Sequence, residues 1–142
     1  MNLAFFLKPK SEVFFLYEDM PLAEALNEMH RSGFSSVPVI SRDGLYVNTV
    51  SEGDFLRALA QTDGAHLTLI DAPAAEALRL RDALRKDRNP PCPIGIPVEA
   101  LLLRTTEQNF VPVVDDRGVF IGIVTRRAVL SYFLSRPADS PN

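Results

Sequence analysis

The chain has 142 residues, 46% hydrophobic and 23% charged, with a mean hydropathy of +0.04; this is the profile of a soluble globular protein and excludes a disordered or fibrous chain. Its length suits one domain or two half-size units sharing a core. A formal net charge of −3 and a pI near 5.3 leave no basic footprint for nucleic acid, and the single cysteine, Cys92, excludes an internal disulfide and fits a reducing compartment.

In chain order, the opening stretch MNLAFFLKPKSEVFFLYED holds two apolar runs, Leu3 to Leu7 and Val13 to Tyr17, broken by KPKSE. Neither approaches the roughly 18 apolar residues of a membrane span, and no basic leader precedes them. Residues 1–12 are therefore expected to form an amphipathic turn or short helix of a cytoplasmic protein without membrane contact. VFFLY reads as a short strand opening a first unit over 13–60. Leu22, Ala25, Leu26 and Met29, spaced i, i+3, i+4 and i+7, predict a helix started by Asp19 and Pro21 and stopped by Gly33. SVPVI and LYVNTV follow as strands about a turn with Gly44 at positive φ, and the next helix turns Phe55, Leu56 and Leu59 to the core.

Residues 61–91 are expected to be a connecting helix or linker ending before Pro90 and Pro91. A second unit over 92–135 repeats the order: CPIGI as a short strand, a helix over Val98 to Thr106, strands FVPVV and VFIGIV about Gly118, and a helix with Val129, Leu130 and Phe133 inward. Residues 136–142 are expected to be disordered.

The two units are one sequence written twice. SVPVISRDGLYVNTVSEGDFL (36–56) lies over FVPVVDDRGVFIGIVTRRAVL (110–130) without a gap, at a constant separation of 74. Val37, Pro38, Val39, Gly44, Val50 and Leu56 recur as Val111, Pro112, Val113, Gly118, Val124 and Leu130, and Ser51 is matched by Thr125. Each unit reads β-α-β-β-α, giving a mixed α/β (α+β) fold. A unit of about 60 residues buries too little surface alone, so the two are expected to pack about a pseudo-twofold axis with a cleft between them.

Ser51 and Asp54 stand three residues apart where a strand gives way to a helix. They can form a helix cap, with the acid at the positive end of the helix dipole. They can equally hold a small molecule, since residues i and i+3 share one face of the first turn and a carboxylate can take two vicinal hydroxyls.

Together, GFSSVPVI, DGLYVNTVSEGDFL and QNFVPVVDDRGVFIGIVTRRAVL resemble the CBS domain, and the duplicated chain resembles a tandem CBS pair, or Bateman module, similar to small stand-alone bacterial CBS-pair proteins, some of which bind cyclic di-AMP. The resemblance implies a regulatory module that binds AMP, ADP, ATP or cyclic di-AMP in the inter-repeat cleft, dimerises, and passes occupancy to a partner protein. It also implies that Ser51 and Asp54 hold ribose, with adenine against Ser35, Ser36, Val37 and Pro38 in the first copy and Asn109, Phe110, Val111 and Pro112 in the second. Phe110 or Tyr46 stacks on a base or serves in core or dimer packing.

The second copy departs from the pattern: after Thr125, Arg126 and Arg127 it has Ala128 in place of the acid. It offers two guanidinium groups at a helix N-terminus instead, which suit phosphate or a neighbouring carboxylate. Asn48 is a second departure, standing where the other copy has Gly122 and where it either crowds the site or contacts a base. His30, His66 and Cys92 have no metal-ligand spacing, so no metal is expected, and no phosphate-loop or nucleophile signature points to an enzyme. The alternative to a sensor is a ligand-free dimer acting as an interaction scaffold.

Overall fold

A computed structural model describes residues 2–135, so the 136–142 tail lies outside the described residues. The chain forms two compact units, one made of Phe14–Arg88 and the other of the segment through Val13 together with the chain from Asn89 onward. A 3-10 turn at Leu3–Phe5 leads into β1 (Lys8–Pro9), and a second such turn covers Lys10–Glu12. The Phe14–Arg88 unit then holds β2 (Leu16–Tyr17), α1 (Leu22–Ser32), β3 (Ser36–Ile40), β4 (Tyr46–Ser51), α2 (Glu52–Leu59), β5 (Ala60–Asp63), β6 (His66–Leu69), α3 (Ala72–Glu76) and a 3-10 turn at Leu80–Ala83. The chain returns to the unit that holds its N-terminal segment with β7 (Cys92–Pro93), α4 (Val98–Glu107), β8 (Phe110–Val114), β9 (Phe120–Thr125) and α5 (Arg126–Ser135).

The repeat read from the letters is a repeat of backbone pairing. β3 and β4 are antiparallel, with Ser36 opposite Ser51 and Val39 opposite Asn48, and β8 and β9 match them with Phe110 opposite Thr125 and Val113 opposite Gly122. Both ladders slip at the equivalent place, between Val39 and Ile40 and between Val113 and Val114. The turns agree as well: Gly44 at φ 89° and Gly118 at φ 83° supply the left-handed residue, each donating its N–H to the carbonyl of Ser41 or Asp115 at 2.9 and 3.1 Å.

α1 forms where the 3.6-residue spacing places it, with Leu22, Ala25 and Met29 buried, and Gly33 caps it at φ 78°. Asp19 does not cap this helix. Its carboxylate takes the Arg42 Nε–H at 2.9 and 3.0 Å, and the helix instead begins after Pro21, whose carbonyl accepts from Ala25.

Residues 61–91 depart from the expected connecting helix. They contain the end of the β5–β6 hairpin, the one-turn α3 and the Leu80–Ala83 turn, and Leu80 and Ala83 are buried in the core with Leu16, Leu22, Met29, Val37, Val50 and Phe55. The N-terminal segment likewise belongs to a core. Leu3 and Phe6 are buried with Cys92, Leu101, Val111, Val113, Val124 and Val129, while β1 pairs antiparallel with β9, Lys8 opposite Ile123 and Pro9 opposite Gly122. The 3-10 turns at Leu3–Phe5 and Leu80–Ala83 are themselves equivalent: Leu3 and Leu80, Leu7 and Leu84, and Lys8 and Arg85 keep a constant separation of 77. Each of Leu3 and Leu80 is fully buried, worth about 1.5–3 kcal/mol of transfer free energy.

Three residues expected to face the core do not. Leu56 is 58% exposed, Leu130 55% and Phe133 47%, because each helix buries a narrower stripe, centred on Phe55 and Val129 respectively. Among the described residues no helix is long and apolar enough to cross a membrane.

Candidate functional site

Each β-strand-to-helix junction is fastened to the entry of its middle strand by an equivalent bond. The Glu52 N–H donates to the Ser35 carbonyl at 3.2 Å, and the Arg126 N–H donates to the Asn109 carbonyl at 2.9 Å. Ser35 and Ser36 thus lie beside Ser51 in one unit, and Asn109 and Phe110 lie beside Thr125 and Arg126 in the other. In both, Val37–Pro38 and Val111–Pro112 are buried strand residues, which leaves their backbone and the exposed Ser35 and Asn109 as the accessible part.

At the first junction Asp54 has no solvent-exposed side-chain surface. Its Oδ2 accepts the Ser51 N–H at 2.8 Å and the Ser51 hydroxyl at 3.1 Å, which is the carboxylate half of a capping box. Three guanidinium groups converge on the same carboxylate: Arg57 on Oδ1, Arg85 Nε on Oδ1 at 3.2 Å, and Arg88 Nη1 on Oδ1 at 3.0 Å and Oδ2 at 3.2 Å. Burial alone would push this carboxyl upward, but the two Ser51 donors, Arg88 and Arg57 outweigh it and hold Asp54 below the ordinary value of 3.8. Asp54 is therefore an ionised carboxylate whose oxygens are all engaged, so ribose hydroxyls can reach it only in exchange for a guanidinium.

Asn48 neither crowds the junction nor points at an open space. Its Oδ1 accepts the Thr49 N–H at 2.8 Å and its Nδ2 donates to the Arg85 carbonyl, tethering the segment that delivers Arg85 and Arg88. The equivalent Gly122 serves the same crossing in the other unit by having no side chain: a Cβ there would lie 2.2 Å from the Lys8 carbonyl oxygen of β1. Arg88 itself is flanked by two residues in left-handed backbone, Asp87 at φ 52° and Asn89 at φ 56°, a conformation in which Asp and Asn are enriched.

The second junction divides its arginines. Thr125 Oγ1 accepts the Ala128 N–H at 3.0 Å, the hydroxyl half of the capping box that remains once the acid is gone. Arg126, expected to meet phosphate, is instead spent on α4: its Nε donates to the Thr105 carbonyl at 2.7 Å and its Nη2 to Thr106 at 3.4 Å, satisfying last-turn acceptors that the helix leaves open. Arg127 is exposed and has no acidic partner among the described residues. Phe110 is only 7% exposed and Tyr46 is half-buried with its hydroxyl 2.7 Å from Thr49 Oγ1, so packing rather than an open stacking face describes both rings. Burial pushes the Tyr46 phenol up, and burial likewise raises the Cys92 thiol against a smaller opposing pull from Arg104, leaving it a protonated, inert core group.

The arginines at Asp54 escaped the sequence reading because they lie 31 and 34 residues away in the case of Arg85 and Arg88. The available signal was the cationic run Arg85-Lys86-Asp87-Arg88, which lies inside the segment expected to be a connecting helix or linker.

Two β-α-β-β-α units with matched registers and matched junctions correspond to a known family. The CBS domain model matches residues 7–61 and 70–135, and the chain belongs to the CBS-domain family, as a tandem pair. Among solved structures, it is similar to the CbpB protein of Listeria monocytogenes in complex with cyclic di-AMP, at 25% identity and a TM-score of 0.79, covering 93% of this chain and 94% of that one. A second CbpB complex with cyclic di-AMP is also 25% identical, with a TM-score of 0.82 over 95% of this chain and 85% of that one. An uncharacterized protein of Methanocaldococcus jannaschii is 25% identical over 136 residues, covering 78% of this chain and 80% of its own length.

Proposed function

We propose that this protein is a non-catalytic, cytoplasmic nucleotide sensor that binds an adenosine-containing ligand and passes its occupancy to a partner protein. The observation that carries this reading is the Ser51–Asp54 junction: a buried, ionised carboxylate collecting three arginines far exceeds what a two-turn helix needs as a cap. The cyclic di-AMP held by the 25%-identical CbpB structures supports that ligand first, with AMP, ADP and ATP beside it. In the Phe14–Arg88 unit adenine is read by the backbone at 35–38 and ribose by Asp54 once an arginine moves aside; in the other unit adenine is read by the backbone at 109–112 and phosphate by Arg127 rather than Arg126, which α4 occupies.

Occupancy is read out through a homodimer. The outward apolar residues of α4 and α5, Leu103 at 70%, Leu130 at 55% and Leu134 at 87% exposure, support self-association, since such side chains gain from leaving water. A ligand-free scaffold is the competing reading, favoured by the full engagement of Asp54.

Thermal melts with cyclic di-AMP, AMP, ADP and ATP separate the two. A sensor gains about 2.7 kcal/mol at a ligand concentration a hundredfold above its dissociation constant, and the melting temperature rises accordingly. Arg127→Ala is expected to reduce the shift without lowering the unliganded melting temperature. A panel that moves nothing leaves the scaffold.

A further inference from the structure

We propose that Arg88 is a latch on Asp54 that a bound ribose releases, so that the crossover of the chain from one unit to the other carries the occupancy of the site. This rests on the nucleotide reading above and adds how the site reports. Asp54 keeps its charge paired without Arg88. Arg57 and Arg85 reach Oδ1, and the Ser51 N–H and hydroxyl reach Oδ2, so each oxygen retains two donors when Arg88 departs. Among the described residues, Arg88 is the one whose single nitrogen, Nη1, bridges both oxygens, at 3.0 and 3.2 Å. A ribose hydroxyl donating to that same edge of the carboxylate takes the place of Arg88 and leaves no buried charge uncompensated. The other two arginines are less free to move: Arg57 is carried on α2 three residues from Asp54, and the Arg85 carbonyl is held by Asn48.

What Arg88 fastens is a turn. Lys86 and Asp87 are exposed, and Asp87 and Asn89 occupy the sparsely populated left-handed region, which persists where the surroundings hold it. On one side the hold is Asn48 on the Arg85 carbonyl; on the other, Gln108 Nε2 donates to Asn89 Oδ1 at 2.7 Å and to the Pro90 carbonyl at 3.0 Å. Between these two points the turn is pinned by Arg88 on Asp54. The boundary between the two units falls at the same place, after Arg88 and before Asn89. Both halves of the pair are missing together from the other repeat: Ala128 stands opposite Asp54 at the separation of 74, and Ser11 stands opposite Arg88 at the separation of 77. The latch is thus a property of the Phe14–Arg88 unit, placed where that unit hands the chain on.

Limited trypsin digestion of the full chain tests this, because Lys86 lies in the turn. Arg88→Gln is expected to speed cleavage after Lys86 about fivefold or more by raising the population of the open turn. Arg57→Gln removes a bond to the same carboxylate but from a helix, and should leave that rate unchanged. AMP or cyclic di-AMP, whichever raises the melting temperature, is expected to slow cleavage elsewhere and yet speed it after Lys86 towards the rate of Arg88→Gln. The same nucleotide should bind Arg88→Gln about threefold or more tightly than the unaltered protein, because the competing closed state is removed. Three results overturn the latch and leave the nucleotide reading standing: a cut after Lys86 no faster in Arg88→Gln, equal acceleration by Arg57→Gln, or a nucleotide that raises the melting temperature without speeding that cut. Affinity that is unchanged or weaker in Arg88→Gln overturns it as well. Melting temperatures indifferent to AMP, ADP, ATP and cyclic di-AMP alike sink the nucleotide reading itself, and release by ribose falls with it.

Discussion

Asp54 is kept ionised in a place without water by Ser51 and three arginines, and this ties stability to pH. Its folded-state pKa lies below the ordinary 3.8, so its contribution to folding is complete above that value and is lost as pH falls through the folded value. Asp54→Asn is expected to flatten the acid limb of a melting-temperature profile taken between about pH 5 and pH 2, relative to the unaltered chain. An equally steep limb in the variant would mean that other carboxylates govern acid unfolding. At this scale the sequence carried half of the site. The i, i+3 pairing of Ser51 with Asp54 and the loss of the acid at Ala128 were legible, because the first turn of a helix is local. The arginines were not, because what brings Arg85 and Arg88 to Asp54 is the path of residues 78–88 past α1 and β4, fixed by long-range bonds such as Leu80 N–H to the Met20 carbonyl.

Among the elements, the strands and helices of each repeat were legible because the 74-residue register preserves Val-Pro-Val, the glycine turn and the Ser or Thr at the junction. The short 3-10 turns were not, since only Leu3/Leu80, Leu7/Leu84 and Lys8/Arg85 agree there, and three matches do not declare a repeat. Packing shows what those leucines do. Leu3→Ala and Leu80→Ala, both at fully buried positions, are each expected to cost about 2–5 kcal/mol in denaturant unfolding, the usual range for a core leucine. Gly122→Ala tests β1 directly: a Cβ at 2.2 Å from the Lys8 carbonyl must displace backbone, at about 1–3 kcal/mol, and the amides of β1 should exchange faster with solvent. The stripe of each closing helix was read too wide, since Leu56 and Leu130 carry the right period but look outward.

At the scale of the molecule, those outward leucines are the place to test assembly. Leu130→Glu puts a charge on a residue already 55% exposed, so folding should survive while sedimentation velocity shifts from dimer to monomer. A variant that sediments like the parent protein would move the contact surface elsewhere.

The two units also differ in how the ribosome delivers them. Phe14–Arg88 is an uninterrupted stretch that is complete once Arg88 leaves the exit tunnel, so it can close while translation continues. The unit containing Leu3, Phe6 and β1 has to wait for β9, and until Ile123 emerges its opening residues remain apolar surface in need of shelter. Nascent chains stalled between these two points should resist protease over 14–88 and be cut within 2–13.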